Sequence, residues 1–303
     1  MRLITLGSAS VGYGKSFVAV ALGASLARRG VTTCLVDLDL GTADLHLMTG
    51  RPDARRSVHD LLRGRASSLE EVMEPIPGIA GLHLVAGPRE TVAVSGLSPG
   101  EIARLGSEMR RLPVDVVIAD LQAGVGQPLL DLFLLGDHHW VVTTNDEAAL
   151  ADAERFLRLA RLRRTARGTA GRPSRRPRVY TSLDDLVRDM NSLRQEISPA
   201  QDTGFAPGLV INRCRPDQPS AESRLIDGLF EGKDPIDEPP LIGMIPDDPA
   251  VAGPGPRPLS NLPVHGPAMR AAAEIARALA EDLAGDLPGA EDIGSHRREP
   301  LIV

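Results

Sequence analysis

Lysine is almost missing from this 303-residue chain. Lys15 and Lys233 are the only two, and the other 32 of its 34 basic residues are arginine. Cysteine is equally scarce, with Cys34 and Cys214 alone. Both sit in apolar runs, TTCLVD and LVINRC, which predicts buried thiols in a reducing compartment and excludes a disulfide-stapled scaffold. No apolar run approaches the length needed to cross a bilayer, and the first residues lead into a strand-like run rather than a basic-then-apolar leader. The expectation is a cytoplasmic protein. A net charge of −6 and a pI near 5.7 argue against nucleic-acid binding by the whole surface.

Against that background the position of Lys15 carries information. In Leu3–Ser16, LITLGSASVGYGKS, a short apolar strand runs into a glycine-containing turn. The turn opens a helix with apolar residues at helical spacing, Val18, Leu22 and Leu26. Such a turn presents unpaired backbone N–H groups at the positive end of a helix dipole, which makes a phosphate cradle. The Walker A pattern G-x-x-x-x-G-K-[ST] adds a lysine for the β/γ-phosphates and a hydroxyl for Mg²⁺. Gly14-Lys15-Ser16 matches its end, while Ala9 stands where the strict pattern has its first glycine. A chain built on arginine keeps lysine at the one place where a slim, compact charge is needed.

The rest of the chain alternates strand-like and helix-like segments. Strands are expected at Thr32–Asp37, Leu82–Ala86, Val114–Asp120, His139–Thr144, Gly208–Asn212 and Pro240–Ile245. Helices are expected at Ser57–Arg63, from Ser98 to about Leu112 behind a capping box, around Pro128–Leu135, from Glu147 to about Arg164, and at Ser182–Ile197, Ser220–Phe230 and Pro267–Leu283. This rhythm predicts one α/β domain over 1–285, with a mostly parallel twisted sheet and helices on both faces. A disordered tail is expected over 286–303. Asp37, Asp39 and Asp120 fall at the carboxyl ends of neighbouring strands, where open parallel sheets bind ligands. Asp120 ends an apolar strand in the manner of a Walker B acid. Arg161–Arg178 holds eight arginines among 18 residues and reads as a solvated loop or a docking site for an acidic partner, DNA or lipid. Its few neighbouring aromatics offer no stacking platform. His46, His138 and His139 lack a third ligand at metal spacing and read as structural.

Several of these motifs, in this order, resemble the deviant Walker A ATPases of the MinD/ParA group, most closely the FlhG/FleN-like proteins. The similar stretches are DLDLGTADLHLMTG (Asp37–Gly50), DLQAG (Asp120–Gly124), LLDLFLLGDHHWVVTTNDEAALADAERFLR (Leu129–Arg158), LVINRCRP and LIGMIPDDPAV. The resemblance implies a P-loop NTPase fold binding ATP and Mg²⁺. It places Gly12, Tyr13, Gly14, Lys15, Ser16 and Phe17 at the phosphates, and Asn212, Arg213 and Pro246 around the base. It makes Lys15, Asp39 and Asp120 catalytic, and Ser16, Asp39 and Asp120 the metal side of the site. It also implies an ATP-dependent homodimer and a protein partner that reads the nucleotide state, as in flagellar, division-site or cargo positioning.

The chain departs from that family at Ser10, where a lysine reaches the partner protomer's phosphates, and at Val11, which replaces a glycine. A positive φ at Val11 would strain a β-branched residue. Two readings follow: a nucleotide-dependent switch with weak ATP hydrolysis, or a non-hydrolysing nucleotide-binding interaction protein. A small-molecule ligase on the same scaffold would need an acceptor site for which no motif is found. The final helix, MRAAAEIARALAEDLAGDL, is alanine-rich and acidic toward its end, which suits packing against the sheet and not a membrane anchor.

Overall fold

In Arg2–Gly7 (β1), Leu3 packs on one face of the sheet while Ile4 and Leu6 pack on the other, the period of two of a strand covered on both sides. The computed structural model describes residues 1–88, 97–168, 205, 207–215, 239–251 and 255–285. Among these, seven more strands join β1 in one sheet: Thr33–Leu38 (β2), Met73–Pro75 (β3), Leu82–Val85 (β4), Val116–Leu121 (β5), His138–Thr143 (β6), Gly208–Cys214 (β7) and Leu241–Pro246 (β8). Their order is β3-β4-β2-β5-β1-β6-β7-β8. All neighbours are parallel except β3 and β4. Pro75 fits the edge strand β3, where no inner ladder needs its missing N–H.

The described helices are Lys15–Ala27 (α1), Leu45–Met48 (α2), Val58–Leu62 (α3), Pro99–Met109 (α4), Gln127–Phe133 (α5), Glu147–Gly168 (α6) and Pro267–Gly285 (α7). One core lies under α1 and α7, with Val18, Leu22, Met269 and Ile275 packed against Ile4, Leu35, Ile118 and Val142. The other lies under α3 to α6, with Ile102, Leu105, Phe133 and Phe156 against Leu3, Val36, Val117 and Ile211. α1 is apolar almost all round because the sheet covers one side and α7 another. The apolar face of α7 is therefore spent inside the domain.

The predicted alternation agrees with the described elements, with ends displaced by a few residues. The capping box at α4 is formed: Glu101 N–H donates to Ser98 Oγ at 3.3 Å and Ser98 N–H to Glu101 Oε2 at 2.8 Å. α2 and β3 had no counterpart in the sequence reading; both are too short to show a period. The expected loop Arg161–Arg178 is corrected at its start, since α6 continues to Gly168. Arg163 there donates to both oxygens of Asp131 on α5 at 2.7 Å, and the Arg164 guanidinium lies 5.2 Å from the Phe205 ring centroid. The expected helices Ser182–Ile197 and Ser220–Phe230, Lys233, and the tail lie outside the described residues.

Cys34 is buried, which pushes its thiol up to about 12, and the two cysteines form no disulfide. Among the described residues no helix is long and apolar enough to cross a membrane, and no histidine joins a metal-binding cluster. His139 is buried, with Phe133 and Phe205 ring centroids 5.5 and 4.9 Å away. Burial, then the Arg164 charge, lower it from 6.5 to about 4. The unfolded chain thus takes up a proton between those values that the folded chain refuses, so folding stability rises with pH across that window. Denaturant melts from pH 4 to 7 are expected to show a gain on the order of 2–3 kcal/mol that the His139→Phe variant lacks.

Candidate functional site

The turn between β1 and α1 depends on backbone conformations that only glycine adopts without strain. Gly12 and Gly14 have φ of 90° and 78°, and a Cβ on Gly14 would lie 2.2 Å from Asn212 Nδ2. Val11 is different. Among the described residues Arg213 is the one non-glycine with positive φ, so Val11 does not meet the condition under which it would be strained. Its side chain points outward and is 80% exposed.

Contacts from three distant segments pin this turn. Gly124 N–H donates to Ser8 O at 2.9 Å, and Ser8 Oγ donates to Ser10 O at 3.0 Å. Ser10 Oγ and the Tyr13 hydroxyl both donate to Asp152 Oδ2 on α6, at 2.9 and 3.0 Å. Burial and the Asp152 carboxylate raise the Tyr13 phenol above its usual value. Asn212 Nδ2 donates to Tyr13 O at 2.9 Å, and Arg213 Nη1 to Gly12 O at 3.4 Å. Ser10 is thus turned inward onto its own chain.

β2 and β5 are neighbours in register, which sets Asp37 beside Asp120. Both are buried, and the Lys15 ammonium, itself 7% exposed, lies 3.1 Å from Asp120 Oδ1. That oxygen accepts no hydrogen bond, so the contact is ionic only. Asp37 accepts from the N–H groups of Asp39 and Leu45, both at 3.1 Å, and so holds the segment between β2 and α2. Burial, followed by the charge of Asp120, raises the Asp37 carboxyl well above the usual range. Asp39 accepts from Gly41 N–H at 3.1 Å, Thr42 N–H at 2.8 Å and the Thr42 hydroxyl at 3.1 Å. Its carboxylate closes its own turn rather than pairing with Lys15.

Two cavities flank the turn. One of about 200 Å³ is lined by Gly12, Gly14, Phe17, Asn212, Arg213 and Pro246, together with Asp247 and Asp248. Asp248 is occupied by the N–H groups of Ala250 and Ala268, at 2.9 and 3.4 Å, and fixes the start of α7. The other, of about 380 Å³, opens on Val11–Tyr13, Thr144–Asp146, Arg213 and Arg215. The structure therefore gathers Lys15 with Asp120, and Gly12, Gly14 and Phe17 with Asn212, Arg213 and Pro246. Ser16 is half-buried in the first turn of α1. The sequence places Asp37 in the ligand crevice without a task of its own, and singles out neither Asp152 nor Arg215. Asp37 was visible at a strand end; Asp152 meets Ser10 across 142 positions and left no local signal.

The profile of the CobQ/CobB/MinD/ParA nucleotide binding domain matches residues 4–255. The antiactivator FleN of Pseudomonas aeruginosa is 27% identical over 161 residues, 52% of this chain and 56% of that protein. The septum site-determining protein MinD of Bacillus subtilis is 29% identical over 159 residues, 52% of this chain and 58% of that one. The chain spans a little over half the length of these relatives. The structure of the septum site-determining protein MinD of Pyrococcus horikoshii complexed with Mg-ADP covers 94% of this chain and 97% of its own. Its TM-score is 0.59 at 20% identity, a likeness of fold. With a turn of this form between β1 and α1, a lysine–aspartate pair behind it and a matching profile over most of its length, the chain belongs to the CobQ/CobB/MinD/ParA nucleotide-binding domain family.

Proposed function

We propose that the chain binds ATP with Mg²⁺ on the turn Gly12–Phe17 and acts as a nucleotide-dependent spatial or regulatory switch that hydrolyses ATP weakly. The observation that carries this reading is Lys15 at the first position of α1, held against a buried Asp120 whose Oδ1 accepts no hydrogen bond. A buried carboxylate oxygen held by an ionic contact alone, with no hydrogen bond, can exchange that lysine for a metal ion when one arrives. With the Ser16 hydroxyl and Asp39 this oxygen would supply hard oxygen donors, the kind that fits Mg²⁺. When bound, Mg²⁺ supplies neutralisation of phosphate charge.

The chain's own groups would do the rest. Backbone N–H groups of Gly12–Ser16 would hold phosphate oxygens, and Lys15 would leave Asp120 for the β/γ charge. Asn212, Arg213 and Pro246 would enclose the base beside Phe17. Asp39 would orient the attacking water after its turn opens, which makes hydrolysis slow from this closed arrangement. The names of FleN as an antiactivator and MinD as a septum site-determining protein support a regulatory or positional role, with a protein partner reading the bound state. An ATP-dependent homodimer belongs to the same proposal.

One observation favours a second reading, the non-hydrolysing interaction protein. Ser10 has no charge to lend a partner protomer and is committed to Asp152 within its own chain. Without a trans cation, phosphoryl transfer loses a contribution of about 10³-fold or more in related hydrolases.

Calorimetry with Mg-ATP and Mg-ADP, read with sedimentation, tests binding and dimerisation; no magnesium-dependent uptake would overturn the proposal. Lys15→Ala is expected to weaken ATP by at least roughly tenfold. Steady-state phosphate release above that of Asp39→Ala supports the switch, whereas equal rates favour the second reading. Asp152→Ala, which releases two hydroxyls from one carboxylate, is expected to weaken ATP by about tenfold, since each such bond contributes about 1 kcal/mol.

A further inference from the structure

The larger cavity beside the turn contains one cation, Arg215, to which the proposed nucleotide contacts give no task, and a second, Arg213, that the base-side contacts engage from one side only. Its wall includes Arg213 and Arg215, with guanidinium-bearing side chains 48% and 55% exposed. The backbone goes to some cost to bring them there. β7 and β8 lose register between Ile211 and Cys214, and Arg213 adopts a φ of 54°, a left-handed conformation costing about 1–2 kcal/mol for an L-residue with a side chain. The result directs both arginines to one carboxylate, with Arg213 Nε 3.6 Å and Arg215 Nε 3.5 Å from the two oxygens of Asp247. Asn145 at the end of β6 donates to Arg215 O at 3.3 Å and fixes the main chain there.

The donors exceed the acceptors. Each guanidinium carries five N–H groups, yet among the described residues the two make a single hydrogen bond, the long one from Arg213 to Gly12 O. The contacts to Asp247 are longer than hydrogen bonds, half in solvent and weak. Asp146, the carboxylate on this cavity's wall, is engaged by the Thr144 hydroxyl and by Ala149 N–H at the start of α6; these bonds, and more weakly the Arg215 charge, hold it below its usual range. Lys15, meanwhile, is neutralised by Asp120, and position 10 brings no cation.

We propose that this cavity is an oxyanion subsite, with Arg215 its principal donor and Arg213 shared with the smaller, base-side cavity. Arg213 and Gly12 line both spaces, so the subsite adjoins the proposed nucleotide site and rests on that reading for its neighbour. Its ligand is a phosphoryl or similar oxyanion, presented either by the nucleotide's own phosphate tail or by a separate small phosphate. A fork of two guanidiniums matches such an anion in charge and in planar donor geometry. Asp247 holds the pair in place until the anion takes over their donors.

The test compares the intact chain with Arg215→Gln, a change at a half-exposed side chain that leaves the core untouched. ATP, ADP and AMP are titrated calorimetrically with Mg²⁺, and pyrophosphate is titrated into ADP-loaded protein. If the nucleotide tail is the ligand, Arg215→Gln weakens ATP about tenfold and leaves AMP unchanged. If a separate phosphate is the ligand, ATP is unchanged and pyrophosphate uptake is lost. Asp247→Asn, which releases both guanidiniums, is expected to tighten whichever ligand responds. Arg215→Gln matching the intact chain in both arms overturns the subsite while leaving nucleotide binding standing. Should the intact chain take up no nucleotide, pyrophosphate titrated into the nucleotide-free protein decides: uptake sensitive to Arg215 retains the subsite without the nucleotide, and no uptake ends both.

Discussion

The contact on which the site depends is one buried ion pair, the Lys15 ammonium 3.1 Å from Asp120 Oδ1. Each partner is where it is for a separate reason. Lys15 opens α1 because Gly14 turns the chain in a left-handed conformation directly before it. Asp120 lies near the end of β5, a strand flanked by β1 and β2 in the middle of the sheet. Neither charge has much access to water, so each makes the other tolerable, and removal of either would leave an uncompensated charge in the interior. The pair is also incomplete, because the carboxylate oxygen nearest the lysine accepts no hydrogen bond. A contact that is close but unsatisfied is well suited to exchange when a stronger anion and a metal arrive.

Around that pair the protein spends its polar groups on holding backbone still. Asp37 fixes the chain leading to α2, Asp39 closes its own turn, and Asp152 collects the hydroxyls of Ser10 and Tyr13. Asn212 and Arg213 reach the same turn from β7. A phosphate-binding turn works by presenting N–H groups in a fixed concave array, and preorganisation removes ordering cost at the moment of binding. Ser10 fits this arrangement: its hydroxyl is part of the internal bracing of the turn.

Charge is distributed unevenly over the site. The deep side has three buried or half-buried aspartates against one lysine, while the outer side has two exposed arginines sharing one carboxylate. The deep acids suit a divalent cation, and the outer guanidiniums suit an anion. Separation of these two characters across a single glycine-bearing turn gives an anionic ligand carrying a metal a preferred direction.

Much of this was legible before any coordinates. Alternation of strand and helix, the glycine-lysine-serine ending at Gly14–Ser16 and acids at strand ends are local patterns, written within a few residues, and the sheet, its helices and the position of Lys15 follow from them. The strand order and the pairing of Asp37 with Asp120 are global facts, since β2 and β5 are separated by two other strands in the chain. Only packing decided that α6 continues through the first arginines, where Asp131 and Phe205 supply partners that no window of sequence contains. It also gave Val11 a backbone without positive φ and set Arg213, which no local pattern marks, in the left-handed region. The sequence by itself determined which chemical groups the site would own, because residue type and local period are carried by neighbouring residues. Tertiary structure decided which of those groups face one another, because hydrogen bonds such as that from Ser10 to Asp152, 142 positions apart, exist only once the chain between them has folded.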